Sequence, residues 1–232
     1  MVKTLVGWDD VNPTRLGESE QTLALHAAKN DHEGMAKMLQ ERDDINANRP
    51  DIYSKTPLWY AVEKGHKGVV KILLERNDVN PDRSDKRGRI ALLYAAPRGY
   101  EGVVKILLER DGINSDKPDK RGGIPLSCAA SNGREGVVKI LLGRNDIKPN
   151  TPDKRGQTPF SCVASNRHEG VVRGLLRRGG LNLDIINKHG RTALLYAALN
   201  GHEGVANILL ERDDINPTNR ISVAEYRSRK LL

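Results

Sequence analysis

The sequence predicts an all-α fold, a stack of helix-turn-helix units joined by hairpin-like loops, and three observations predict it. The first is an internal period. GVVKILLERND at residues 68–78 returns as GVVKILLERDG at 102–112 and GVVKILLGRND at 136–146, then as GVVRGLLRRGG at 170–180 and GVANILLERDD at 204–214. Each step is 34 residues, and an earlier copy, GMAKMLQERDD at 34–44, keeps the register. Such a period marks an architecture in which each unit buries its apolar face only against its neighbours. The second observation is composition. An apolar fraction of 38%, with two Trp, six Tyr and one Phe in 232 residues, is too thin for one compact core and sufficient for an extended one. The third is the placement of helix start and stop residues inside each unit.

Six units fill residues 17–220, with boundaries at 17–50, 51–84, 85–118, 119–152, 153–186 and 187–220. Within a unit, KTPLWYAVEKGH at 55–66 and RTALLYAALNGH at 191–202 describe the first helix. Thr56, Thr158 and Thr192 can accept from the unpaired N–H groups of a helix start, and Pro57, Pro125 and Pro159 occupy the first helical position, where no N–H is needed. Gly65, Gly99, Gly133 and Gly201 fall where a left-handed residue ends a helix of about two turns. The second helix, from Lys67 to Arg76, puts Val69, Val70, Ile72, Leu73 and Leu74 on a broad apolar face and Lys71 and Glu75 outside. The polar, turn-rich segment DVNPDRSDKRGR at 78–89 then leads into the next unit.

Some units depart from this pattern. Ile90 and Ile124 replace the capping Thr, a loss of about 1 kcal/mol each. Asp31 and Arg167 stand where the helix-ending glycine is expected, and Pro97 sits near a helix end. The middle units should therefore be softer. At the ends, residues 1–13 align with 69–81 after a shift of 68, so residues 1–16 read as an N-terminal half unit, an outer helix and turn. Val2, Leu5 and Val6 would give that helix an apolar face and a reason to self-associate. ISVAEYRSRKLL at 221–232 reads as a C-terminal capping helix.

Thr-Pro-Leu, the following alanine, Gly-His, the Val-Val-x-x-Leu-Leu helix and the trailing Asp-Val-Asn or Asp-Ile-Asn resemble ankyrin repeats, over about nine-tenths of the chain. The Trp-Leu-Gly-Tyr pattern of the tetratricopeptide repeat, which shares the period, is absent. The similarity among units also resembles the long arrays attached to fungal nucleotide-binding signalling proteins, although no GxxxxGK[ST] phosphate loop occurs here. The resemblance implies an ankyrin-repeat solenoid that binds protein partners through a concave face made of hairpin tips and first helices, with the second helices behind. The histidine usual after Thr-Pro-Leu is Trp59, Leu93, Ser127, Ser161 or Leu195, so its hydrogen-bond network is not expected.

Catalytic chemistry needs unlike residues converging on a cleft, whereas a repeat strings like residues along a surface. His32, His66, His168 and His202 share one repeat position and read as structural. His26 and His189 have no partner at metal-ligand spacing. Cys128 and Cys162, one period apart on first helices about 8–10 Å apart, are too distant for a disulfide and read as core thiols. No Ser-His-Asp, Cys-His or paired-carboxylate arrangement stands out. The reading is non-enzymatic, with no cofactor and no metal. No apolar run approaches the ~18 residues of a membrane span. The N-terminal apolar stretch is too short for a secretory signal, and two cysteines suit a reducing compartment, so the expected location is the cytoplasm or nucleus.

The net charge of +8 has a location. The three tip positions of units two to six are Ile52, Tyr53, Lys55; Lys86, Arg87, Arg89; Lys120, Arg121, Gly123; Lys154, Arg155, Gln157; and Lys188, His189, Arg191. Ten of these fifteen are Lys or Arg and none is acidic, whereas unit one has Glu18, Ser19 and Gln21. Lys64 and Arg98 extend the strip onto the helices, and Asp51, Asp85, Asp119 and Asp153 offset part of it. Such a strip favours an acidic protein partner, with Tyr53, Trp59 and Phe160 as candidate apolar anchors, Phe160 being read first as core because it holds the leucine position. The alternative is a nucleic acid or other polyanion on the same strip, although interleaved aromatics for base stacking are scarce. A third reading is a structural or engineered array with no cognate partner, the Asp-Lys-Arg-Gly tips being copied by duplication.

Overall fold

A computed structural model describes residues 23–42 and 46–219. Among these, twelve helices come in six pairs, residues 217–219 are also helical, and no strand occurs. The pairs are α1 (Leu23–Lys29) with α2 (Glu33–Gln40), α3 (Pro57–Lys64) with α4 (Lys67–Glu75) and α5 (Ala91–Arg98) with α6 (Glu101–Leu108). They continue as α7 (Pro125–Ser131) with α8 (Glu135–Leu142), α9 (Pro159–Ala164) with α10 (Glu169–Arg178) and α11 (Ala193–Leu199) with α12 (Glu203–Leu210). The chain forms two compact bodies. The first takes the described residues up to Ala95 together with Tyr100–Asn114, and the second takes Ala96–Gly99 and the described residues from Ser115 onward.

Within each body like stacks on like. In the first, α3 packs on α1 and α4 on both α2 and α6. In the second, α9 packs between α7 and α11 while α10 packs between α8 and α12. The core is a thin layer inside these stacks. Leu58, Val62, Val69, Val70 and Leu73 are buried in the first body, and Leu126, Phe160, Val163, Val172, Leu175, Leu194 and Leu209 in the second. Each such side chain contributes about 1.5–3 kcal/mol through water removal. Between pairs, Val79, Ile113, Ile147 and Ile215 plug the loops at one repeat position, and in the fifth repeat Leu183, two residues beyond the periodic Leu181, is the buried one.

The first helices begin as their residues dictate. Thr56, Thr158 and Thr192 accept from the backbone N–H of Trp59, Ser161 and Leu195 at 3.2, 3.2 and 3.3 Å. The loss expected at Ile124 is partly made good, because Ser127 Oγ accepts from the Ile124 N–H at 3.0 Å and donates to its carbonyl at 2.9 Å. Ile90 is fully buried, so apolar packing stands where the cap would be. Asp31 and Arg167 do end their helices in the left-handed region, at φ 56° and 47°. Pro97 lies inside α5, one residue from its end.

Adjacent pairs are stapled from one side. The His66 Nε2–H reaches the Lys29 carbonyl at 3.3 Å and the His202 Nε2–H the Ser165 carbonyl at 3.0 Å, while at the same repeat position Arg134 Nε donates to the Pro97 carbonyl at 2.9 Å. The histidines are thus caps for the preceding first helix. A second set serves the second helices. Arg76 Nη1 donates to the carbonyls of Leu39, Gln40 and Arg42 at 3.2, 3.1 and 2.8 Å, Arg110 donates to the Arg76 carbonyl at 3.1 Å, and Arg178 donates to those of Leu142 and Arg144. Near the start of three second helices, a side chain from the preceding pair lies over a glycine. Glu33 covers Gly68, Glu135 covers Gly170 and Glu169 covers Gly204, so a Cβ at any of these would overlap a carboxylate.

Candidate partner-binding face

The hairpin tips are built by one residue each. Asp119 Oδ1 accepts from the backbone N–H of Arg121 and Gly123 at 2.8 and 2.9 Å, and the Asp119 carbonyl accepts from Gly122 at 2.9 Å. Asp51, Asp85, Asp153 and Asn187 close their tips the same way, with Oδ1 distances of 2.8 to 3.0 Å. A short acceptor side chain that bonds N–H groups two and four residues on is an effective turn builder. The four aspartates are therefore turn-closing groups drawn into the tips, with their carboxylates half-buried or, at Asp85, buried.

In the second body the tips join. Lys154 N–H donates to the Arg121 carbonyl and Lys188 N–H to the Arg155 carbonyl, both at 3.0 Å. A Cβ at Gly122 would stand 2.8 Å from Lys154 N, so glycine is what lets the backbones approach. This ladder sets Lys120, Arg121, Lys154, Arg155, Lys188, His189 and Arg191 side by side, and all seven are exposed. Arg98, also exposed, ends α5 where a cation suits the helix dipole.

In the first body Tyr53, Lys64, Lys86 and Arg87 are exposed, and Tyr53 lies beside Ile52, each about three-fifths exposed. Three expected site residues behave otherwise. Trp59 is 3% exposed and packs edge-on against Tyr60 and Tyr94, with ring centroids 5.0 and 4.4 Å away. It is core, not an anchor, because the first-helix position it occupies faces the neighbouring first helix. Lys55 is half-buried, its ammonium 3.7 Å from the Trp59 ring centre and flanked by Tyr60 and Tyr53 at 5.4 and 6.0 Å. Arg89 is half-buried and paired with Asp85 at 2.9 Å. Phe160, 1% exposed, is core, as its leucine position implied.

One network lies outside the sequence reading. Tyr60 donates to Asp51 Oδ2 at 2.6 Å and Tyr94 to Asp85 Oδ2 at 2.8 Å, and Asn187 Nδ2 donates to the Tyr196 hydroxyl at 2.5 Å. Burial and the neighbouring carboxylate push the Tyr60 and Tyr94 phenols up. Burial also pushes the Asp85 carboxyl up, but hydrogen bonds from the Arg89 N–H, the Tyr94 hydroxyl and the Arg89 guanidinium outweigh it and hold the group below the usual carboxylate range. The signal was in the period, since residues 60, 94, 128, 162 and 196 share a position and only Cys128 and Cys162 depart from tyrosine. Neither cysteine is in a disulfide, and both are half-buried. Burial, with help from the Asp153 carboxylate and Cys128, pushes the Cys162 thiol up to about 12.

Among the described residues no group of three His, Cys, Asp or Glu is arranged to hold a metal, and no helix is long and apolar enough to cross a membrane. What these geometries define is a helical repeat protein whose hairpin tips carry its exposed charge. A family model described as ankyrin repeats (3 copies) matches residues 1–85, 77–153 and 145–220, so the chain belongs to the ankyrin repeat family. Its fold is the all-α ankyrin-repeat solenoid. Among solved structures, the ankyrin repeat protein EF0377 is similar at a TM-score of 0.77 and 23% identity, covering 85% of this chain and all of that one. An ankyrin repeat domain from Acinetobacter baumannii AYE is similar at 0.73 and 23%, covering 81% of this chain and 95% of that one. No curated protein matches the chain. Ankyrin repeats are in general non-catalytic modules that mediate protein–protein interaction. The half repeat at 1–16, the first tip with Glu18, Ser19 and Gln21, and the cap at 221–232 lie outside the described residues.

Proposed function

We propose that this chain is a non-enzymatic interaction module of six repeats, bounded as the period divides them, whose hairpin tips bind an acidic segment of a protein partner. The observation that carries the reading is the backbone ladder in the second body, from Arg121 to Lys154 and from Arg155 to Lys188, which aligns seven exposed side chains, six of them Lys or Arg. A single exposed ion pair is worth about 0–1 kcal/mol, so affinity must come from several at once. The row also raises the encounter rate with an acidic surface. In the first body, Ile52 and Tyr53 add exposed apolar surface on the tip one repeat before that of Lys86 and Arg87.

Fluorescence anisotropy with a labelled oligoglutamate peptide and a random DNA duplex, each at low and physiological salt, tests this. The wild-type chain should bind the peptide, and a variant with Lys120→Glu, Arg121→Glu, Lys154→Glu and Arg155→Glu should not. Tighter binding of the duplex with a steep salt dependence would move the assignment to a polyanion site. Binding of neither probe would leave a structural array, and peptide binding unchanged in the variant would remove the tips from the interface.

A further inference from the structure

The second helices repeat almost without change until repeats four and five. Ile72, Ile106, Ile140 and Ile208 share one position, and its occupant in α10 is Gly174. Glu75, Glu109 and Glu211 share another, whose occupants in repeats four and five are Gly143 and Arg177. Both departures fall on one face of the second body, where α8 and α10 pack side by side. Beside Gly174 runs a groove of about 580 Å³ lined by Val138, Leu142, Val171 and the glycine backbone. A Cβ at Gly174 meets open space, with no atom within 4 Å.

The groove is charged unevenly along its length. Glu135 stands at the end where the helices begin, covering Gly170. Lys139, Arg177 and Arg178 line the rest of the rim, Lys139 and Arg177 being exposed and Arg178 turned onto the carbonyls of Leu142 and Arg144. Arg177 and Arg178 lie three and four residues beyond Gly174, one helical turn away. In repeats two and three the acidic residues Glu75 and Glu109 occupy the place where repeats four and five have a glycine and an arginine.

We infer that this second-helix face is a separate docking site for an acidic helical segment of a protein partner, which inserts one aliphatic side chain over Gly174 and places carboxylates against Arg177 and Lys139. The apolar lining is short, confined to Val138, Leu142, Val171 and the glycine backbone beside Gly174. That suits a single aliphatic residue and not an acyl chain, whose dozen methylenes would lie across charged rim. The polarity fixes orientation: carboxylates face the Arg177 end and stay away from Glu135. The site is independent of the hairpin tips, which belong to the loops at the start of each repeat.

The probe is an alanine-based helical peptide of about fifteen residues, near the length at which an isolated helix becomes appreciable, with one leucine followed three and four positions later by glutamates. It is titrated into isotope-labelled protein carrying the tip reversals Lys120→Glu, Arg121→Glu, Lys154→Glu and Arg155→Glu, so that failure of the tip reading does not bear on the result. The amide resonances of Gly143, Gly170 and Gly174 should shift saturably. Gly174→Ile, which restores the residue of the other repeats, should bind about tenfold more weakly or worse, as when an aliphatic group is denied its pocket, while the melting temperature holds or rises. Arg177→Glu should weaken binding comparably. Shifts no larger at the three glycines than elsewhere, or equal affinity for Gly174→Ile, overturn the proposal. So does equal binding of a peptide with the leucine replaced by alanine, and tighter binding of dodecanoate than of the peptide reassigns the groove to a lipid.

Discussion

Replacing Arg76 tests whether one repeat caps another. Its side chain is 9% exposed, and its Nη1 lies 2.8 to 3.2 Å from three carbonyls at the C-terminus of α2, while Nε and Nη2 bind Asp78 at 2.8 and 3.0 Å. One nitrogen carries two hydrogens, so the three contacts amount to two bonds. A hydrogen bond to a charged group is worth about 1.5–3 kcal/mol net, and water can reach part of a helix end, so Arg76→Ala should cost about 2–3 kcal/mol. The loss should be local. Hydrogen exchange should accelerate in α2 before it does in α6, because each repeat is held mainly by its neighbours. Denaturant unfolding followed by circular dichroism, paired with exchange, provides the measurement. A change within about 0.5 kcal/mol, the range of ordinary surface substitutions, would refute the capping argument, as would lost protection in α6 with α2 unchanged. Arg178→Ala is the natural comparison, since Gly180 stands where Asp78 partners Arg76 and the guanidinium lacks that carboxylate to orient it. Its cost should be smaller, about 1 kcal/mol.

Three further outcomes follow from the same geometry. Gly122→Ala forces a side chain onto φ +85° with its Cβ 2.8 Å from Lys154 N, and should destabilise by about 2–3 kcal/mol through left-handed strain and loss of the tip contact; an unchanged denaturation midpoint would contradict the ladder. Native Cys162, its thiol held up at about 12, should react with a disulfide reagent at pH 7 about a hundredfold or more slowly than in denatured protein, and equal rates would show the site to be open. The Asp146 carboxyl is held down at about 2, first by the Arg144 guanidinium and also by the Ser115 hydroxyl. A depressed folded value means its contribution is complete above the unfolded value near 3.8 and disappears as pH falls toward 2, so Asp146→Asn should flatten the acid limb of a stability profile between those values.

The architecture was legible because repetition multiplies weak signals. A single Thr-Pro is an ordinary helix start, but Thr56, Thr158 and Thr192 in register leave little freedom, and each does cap its helix. Charge was legible as a set of positions and not as a surface. Periodicity put Lys55 and Arg89 at tips, yet could not show that Lys55 folds back over Trp59 or that Arg89 is held by Asp85. Trp59 misled for a related reason: an unusual large residue at a repeat position draws notice as an anchor, while its burial depends on Tyr94 from the following repeat. The tyrosine network was missed because its partners lie nine residues apart, across a hairpin, where neither helical nor strand spacing directs the eye.

The His and Arg side chains that bond helix-end carbonyls run from a later repeat to an earlier one. His66, Arg76, Arg134, Arg178 and His202 each reach back to carbonyls that ended a helix some 34 to 37 residues before. A helix pair therefore leaves the ribosome with its C-terminal carbonyls open, and these close only when the next pair has been made. Order should then spread along the chain one repeat behind synthesis. A chain shortened from its C-terminal side uncaps the repeat it leaves last, whereas one shortened from the other side keeps the staples on the helices that remain.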